Sequence, residues 1–136
     1  MSYEKHEAFL NDLAKAYTEY NADYVLPWLA DDFAYCSFWV SAPDLTKEGY
    51  KNYIIGKLVT MKRIGKINKF LMMYEQETGK PFLLCNEKTP QDGYACFMVD
   101  MDDNSKVNSL TIIPTHFFHL GYTNKEEFDE FMKPMK

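Results

Sequence analysis

The stretch from Asn21 to Val40, NADYVLPWLADDFAYCSFWV, constrains the chain most, because a helix end, an acidic turn and an aromatic strand follow one another there without a linker. Asn21 and Asp23 suit caps better than helix interiors, so they mark where one helix stops and a short second one, carrying Val25, Leu26 and Leu29, begins. Pro27 has no N–H to give and must sit in the first turn of that second helix or bend it. Asp31 and Asp32 then break the apolar pattern, and Phe33 to Val40 has the length and aromatic content of a strand. A period of two puts Phe33, Tyr35, Ser37 and Trp39 on one face and Ala34, Cys36, Phe38 and Val40 on the other. Both faces are largely apolar. Such a strand needs cover on each side, helices on one and a second layer or a partner subunit on the other.

The flanking segments supply the helices. From Glu4 to Tyr20, Phe9, Leu10, Leu13, Ala14, Ala16, Tyr17 and Tyr20 recur at spacings of three and four, an amphipathic helix. SAPDLT, Ser41 to Thr46, reads as a loop in which Pro43 ends the strand and Asp44 or Thr46 caps the next helix. That helix runs from about Lys47 to Ile64, with Tyr50, Tyr53, Ile54, Lys57, Leu58, Met61 and Ile64 along one face. Lys57 interrupts the apolar stripe, either as a snorkelling stem or as a ligand-facing cation. Gly56, costly in a helix interior, is read as allowing close approach of another element.

From Ile67 onward the texture changes. INKFLMMYEQ, PFLLCNEK, YACFMVDM and KVNSLTII are separated by ETGK, TPQDG and DDNS and followed by Pro114, which describes an antiparallel meander of hairpins. In the tail, Thr123 and Glu126 stand at capping-box spacing ahead of Phe128, Phe131 and Met132, so a short C-terminal helix is expected.

Composition narrows the class. A length of 136 residues with 46% hydrophobic content fits one domain spanning 1–136 with one core. A net charge of −5 argues against a nucleic-acid partner. Lys57, Lys62, Arg63, Lys66 and Lys69 read as a solvated edge rather than a phosphate track. Cys36, Cys85 and Cys96 lie in apolar runs with no CxxC pair, which suggests buried free thiols and a reducing compartment rather than disulfides or zinc. The N-terminus has neither a signal peptide nor an anchor, and no window is apolar enough to cross a bilayer. The expectation is a cytoplasmic protein with no membrane partner, no metal and no cofactor.

The order helix, short helix, strand, helix and four antiparallel strands is similar to the α+β cone of the nuclear transport factor 2-like superfamily, also called cystatin-like. NADYVLPWLADDFAYCS resembles that superfamily's junction of first helix, short helix and first strand. The resemblance spans about Glu4 to Ile113 and implies a curved antiparallel sheet wrapped around N-terminal helices, enclosing a pocket. Its members include SnoaL-like polyketide cyclases, ketosteroid isomerases, dehydratases and non-catalytic transport or scaffold domains, so it implies fold more than function.

Isomerase chemistry needs a carboxylate base facing a strong hydrogen-bond donor. By the resemblance the base would stand five residues after the second Asp of the Asp-Asp pair, and here that is Ser37. A hydroxyl with no activating base cannot abstract the proton, so the isomerase mechanism is disfavoured. The donor would be Tyr17, one residue from the aligned Ala16. The second acid would fall near Phe97, with Asp100 close by as a solvated strand-end carboxylate. His116 and His119 could form a dehydratase pair or be two surface or half-buried histidines, the latter being preferred for want of metal-ligand spacing.

Two functions of different class stay open. The first is a small-molecule pocket lined by Tyr17, Tyr35, Ser37, Trp39, Tyr53 and Lys57, taking an acidic or aromatic ligand, with lyase or isomerase activity not settled. The second is a non-catalytic homodimeric module that pairs through the outer face of the sheet, since Met72, Tyr74, Leu83, Leu84, Met98 and Leu110 lie in strands apolar on both faces.

Overall fold

The computed structural model describes residues 3–37, 44–88 and 94–114, together with Glu126, Glu130 and Phe131. Helix α1 (Glu4–Glu19) buries Phe9, Leu10, Leu13, Ala16 and Tyr17, the stripe its periodicity predicts. It ends at Tyr20, whose left-handed φ of 55° lets its N–H reach the Ala16 carbonyl. The Tyr20 hydroxyl donates to the Lys66 carbonyl at 2.6 Å, pinning the helix end to a segment 46 residues further along the chain.

The expected short helix is instead two single 3-10 turns, Ala22–Tyr24 and Leu26–Trp28. The Asn21 side chain accepts from the Asp23 N–H at 2.9 Å and starts the first. Pro27 stands early in the second, where its missing N–H costs least. Strand β1 (Leu29–Ser37) then begins four residues sooner than expected and includes Asp31 and Asp32. A register shift between Leu29 and Ala34 absorbs the two carboxylates and turns both outward without breaking the strand. Phe33 and Tyr35 are buried, as the strand's parity requires.

A two-residue strand, β2 (Leu45–Thr46), pairs with β1 and leads into helix α2 (Lys47–Ile64). The Thr46 hydroxyl accepts from the Gly49 N–H at 3.3 Å and caps α2. At the far end Gly65, with φ of 72°, sets the Lys66 N–H on the Met61 carbonyl and the Gly65 N–H on the Lys62 carbonyl. This is a Schellman closure. Gly56 is no site of close approach, because a Cβ there would meet nothing within 4 Å.

Strands β3 (Phe70–Tyr74), β4 (Pro81–Lys88), β5 (Tyr94–Met101) and β6 (Val107–Pro114) form the expected meander. The six strands lie in the order β2-β1-β6-β5-β4-β3. The sheet is not wholly antiparallel: β1 runs parallel to β6, pairing Tyr35 with Leu110 and Ser37 with Ile112. β1 closes a sheet whose other strands come much later in the chain, and nothing local fixes its direction.

The helices cover one face of this curved sheet. Leu83, Cys85, Phe97, Val99, Leu110 and Ile112 point toward them into the main core. Met73, Phe82, Leu84 and Cys96 point the other way and form a second buried cluster with Phe131. Glu126, Glu130 and Phe131 are helical, while Thr123 lies outside the described residues. The meander strands are thus apolar on both faces, and Phe131 occupies part of the outer one. Cys36 departs from expectation, being exposed on β1 while Cys85 and Cys96 are buried.

Candidate functional site

Under the helices, three elements bring tyrosines together around one lysine. Tyr17 comes from the buried stripe of α1 and is 2% exposed, its ring meeting Phe70 at 5.5 Å and Phe97 at 5.7 Å, both edge-on. Tyr35 comes from the inner face of β1. It lies 4.8 Å from the Tyr50 ring and 5.5 Å from the Tyr53 ring, at shallow angles, and its hydroxyl hydrogen-bonds that of Tyr53. Tyr50 and Tyr53 stand three apart on α2, so both reach the same space.

Lys57 follows Tyr53 by four residues, one turn on. Its ammonium donates to the Tyr53 hydroxyl at 3.4 Å and lies 5.7 Å from the ring centroids of both Tyr17 and Tyr53, within cation–π range. No carboxylate pairs with it among the described residues. The half-buried cation is therefore held by aromatic faces and a phenol, which leave its charge unneutralised.

The phenols stay protonated. Burial pushes Tyr17 well above the ordinary phenol range, and the neighbouring Tyr50, Tyr35 and Tyr53 hydroxyls and the Cys85 thiol push the same way. Burial likewise raises Tyr35, with Tyr53 adding to the effect through charge and hydrogen bond, and raises Tyr50. Neutral phenols beside an ammonium form a donor set for an oxygen that carries or develops negative charge. They do not form a base.

Of the residues the sequence singles out, Tyr17, Tyr35, Tyr53 and Lys57 converge. Ser37 lies one pleat beyond Tyr35 on the same face of β1, opposite the inward-pointing Ile112 in the ladder, and is half-buried. Trp39, His116 and His119 lie outside the described residues. Phe97 sits against Tyr17 in the core, whereas Asp100 is exposed and ion-paired to Lys80, a strand-end carboxylate remote from proton abstraction. Tyr50 is the member that sequence reasoning counted only as core. Its place three residues before Tyr53 in the apolar stripe was the available signal.

No protein-family model and no curated protein matches this sequence. Solved structures do match in fold. A SnoaL-like protein of unknown function from Burkholderia thailandensis superposes with a TM-score of 0.61 at 12% identity, over 84% of this chain and 97% of that one. A cystatin-like-fold protein from Methylobium petroleophilum gives a TM-score of 0.61 at 11% identity, over 100% and 97%. The epoxide hydrolase/cyclase-like enzyme SalBIII, described in pyran ring formation in the polyether salinomycin, gives 0.56 at 11% identity, over 88% and 92%. The chain therefore has the fold of the nuclear transport factor 2-like superfamily. Among the described residues no helix is long and apolar enough to cross a membrane.

Proposed function

We propose that the chain binds a small acidic or aromatic molecule against Tyr17, Tyr35, Tyr53 and Lys57, with Ser37 extending the wall along β1 and Trp39, which lies outside the described residues, kept from the sequence as a further ligand contact. The observation that carries this reading is the Lys57 ammonium, held over two tyrosine rings with no carboxylate among the described residues to neutralise it. A half-buried cation without a counter-ion favours an anion, and the flat phenol faces around it favour an aromatic or enolic one. Because the phenols remain neutral and Ser37 stands where isomerases carry their base, the site reads as one that binds and polarises an oxygen. SalBIII shows that an enzyme can be built on this fold, and a lyase or isomerase step in this chain would need a base from elsewhere.

Calorimetric titration with an aromatic carboxylate and its uncharged amide isostere tests the proposal. The carboxylate binds and Lys57→Met weakens it by about tenfold or more, as loss of a charge-assisted hydrogen bond requires, while the amide is little affected. Trp39→Ala weakens both. Equal affinity for acid and amide, unchanged by Lys57→Met, overturns it.

A second reading, a homodimeric interaction module, draws support from Met98 and Ile113, which remain partly exposed on the outer face of the sheet beside the Phe131 cluster. Light scattering at micromolar concentration that returns the monomer mass of 16.0 kDa excludes it.

A further inference from the structure

The chain carries its charge unevenly. Between Glu48 and Glu75 there is no acidic residue, and Lys51, Lys57, Lys62, Arg63, Lys66 and Lys69 all fall in that span, in a chain whose net charge is −5. The structure gathers four of these cations, Lys62, Arg63, Lys66 and Lys69, at the turn between α2 and β3. At the same turn stand two aliphatic side chains, Ile64 at 66% and Ile67 at 67% exposure, and Val59 one turn earlier on α2 is 60% exposed.

This turn is built rather than loose. The Schellman bonds of Lys66 and Gly65 and the Tyr20 hydroxyl on the Lys66 carbonyl hold it. Gly65 faces open space, since a Cβ on it would meet nothing within 4 Å. Lys62 and Arg63 are exposed, and among the described residues no carboxylate pairs with either. Exposed isoleucines on a fixed turn gain nothing from water, and the cations beside them define what partner could cover them.

We infer that the α2–β3 turn docks on an anionic lipid surface, with Ile64 and Ile67 entering the interface and Lys62 and Arg63 meeting the headgroup phosphates. Charge complementarity requires a polyanionic partner. Two aliphatic side chains among the cations argue against nucleic acid, whose phosphates offer them no apolar contact. Exposed isoleucines beside cations suit a bilayer interface, which accepts aliphatic side chains while its anionic headgroups attract the cations. The absence of a membrane partner expected from terminus and hydropathy concerned anchors and spanning segments, and neither criterion detects exposed side chains at a turn.

The test is co-sedimentation of the intact chain with phosphatidylcholine vesicles, with and without phosphatidylglycerol. Binding is expected only to the anionic vesicles and falls as salt rises. Replacing both isoleucines (Ile64→Ser with Ile67→Ser) lowers partitioning by about tenfold or more, as loss of two interfacial aliphatic chains requires. Lys62→Ser with Arg63→Ser removes the preference for anionic lipid. All four side chains are exposed, so the melting temperature is unchanged in both variants. No binding at low salt, equal binding to neutral vesicles, or anionic binding indifferent to the isoleucines overturns the inference. So does self-association that the isoleucine variant abolishes, which would assign the turn to a second copy of the chain.

Discussion

At the scale of residues, the tyrosine cluster links the proposed site to the pH range in which the fold survives. Tyr17, Tyr35 and Tyr50 have folded-state pKa values raised by burial above the unfolded phenol value of about 10. A phenol shifted upward contributes its full stability below that unfolded value and loses it as pH rises toward the folded one. Stability should therefore show no tyrosine dependence at neutral pH and fall steeply above about pH 10. Urea midpoints measured across that range in Tyr50→Phe should decline less steeply than in the parent, and parallel slopes would exclude the linkage. The thiols give a second contrast. Cys96 is pushed up to about 12 by burial, with Cys85 adding to it. Burial and the Asp44 hydrogen bond also raise Cys36, yet Cys36 is exposed. Thiol labelling of the native chain should modify Cys36 first and leave Cys85 and Cys96 until denaturant is added. A Cys36→Ser protein that still labels quickly would contradict this. Strand parity alone places Cys36 opposite Tyr35, but whether that outer face is covered depends on the neighbouring strands, so its exposure was not legible.

At the scale of elements, the sequence was clearest where periodicity and caps agree. Both long helices lie where their stripes place them, and Thr46 and Gly65 end α2 by ordinary chemistry. It was least clear at Asp31 and Asp32, because adjacent carboxylates look like a turn when seen locally. Only the ladder with β6 lets β1 carry them on a register shift. Gly56 is a related case, since a helical glycine resembles a packing contact until the space around it is known. These two glycines of α2 and its cap should respond in opposite directions. Gly56→Ala meets no atom within 4 Å and should stabilise by up to about 1 kcal/mol through helix propensity. Gly65→Ala must adopt φ near 72° and should cost about 1 kcal/mol, and Thr46→Ala should cost about as much through the lost cap. Urea unfolding of the three variants decides it. Destabilisation by Gly56→Ala would mean that something packs on the exposed side of α2.

At the scale of the whole molecule, the strand order rather than the chain order determines which parts open first. β6 is flanked by β1 and β5, and β5 by β6 and β4, while β3 and β2 stand at the ends of the sheet. Tyr17 and Tyr35 are fixed from the centre of this arrangement. Tyr35 pairs with Leu110 of β6, and Tyr17 packs on Phe97 of β5, whose ladder partner is Ile112. The proposed site thus rests on the two best-supported strands, whereas Phe70, the other ring against Tyr17, belongs to the end strand β3. Backbone amides bonded on both sides of a strand, inside two buried clusters, open only with global unfolding, and those at a sheet end open locally. Native-state hydrogen exchange should therefore find the slowest amides in Val99, Leu110 and Ile112 and faster ones in Phe70 and Met72, with β1 between. Binding of the aromatic carboxylate should slow exchange at Tyr35 and along α2 near Tyr53 more than in β5 and β6, which are already at the global limit. If β3 exchanges as slowly as β5, that strand has a further neighbour in solution, and the sheet order no longer sets local stability.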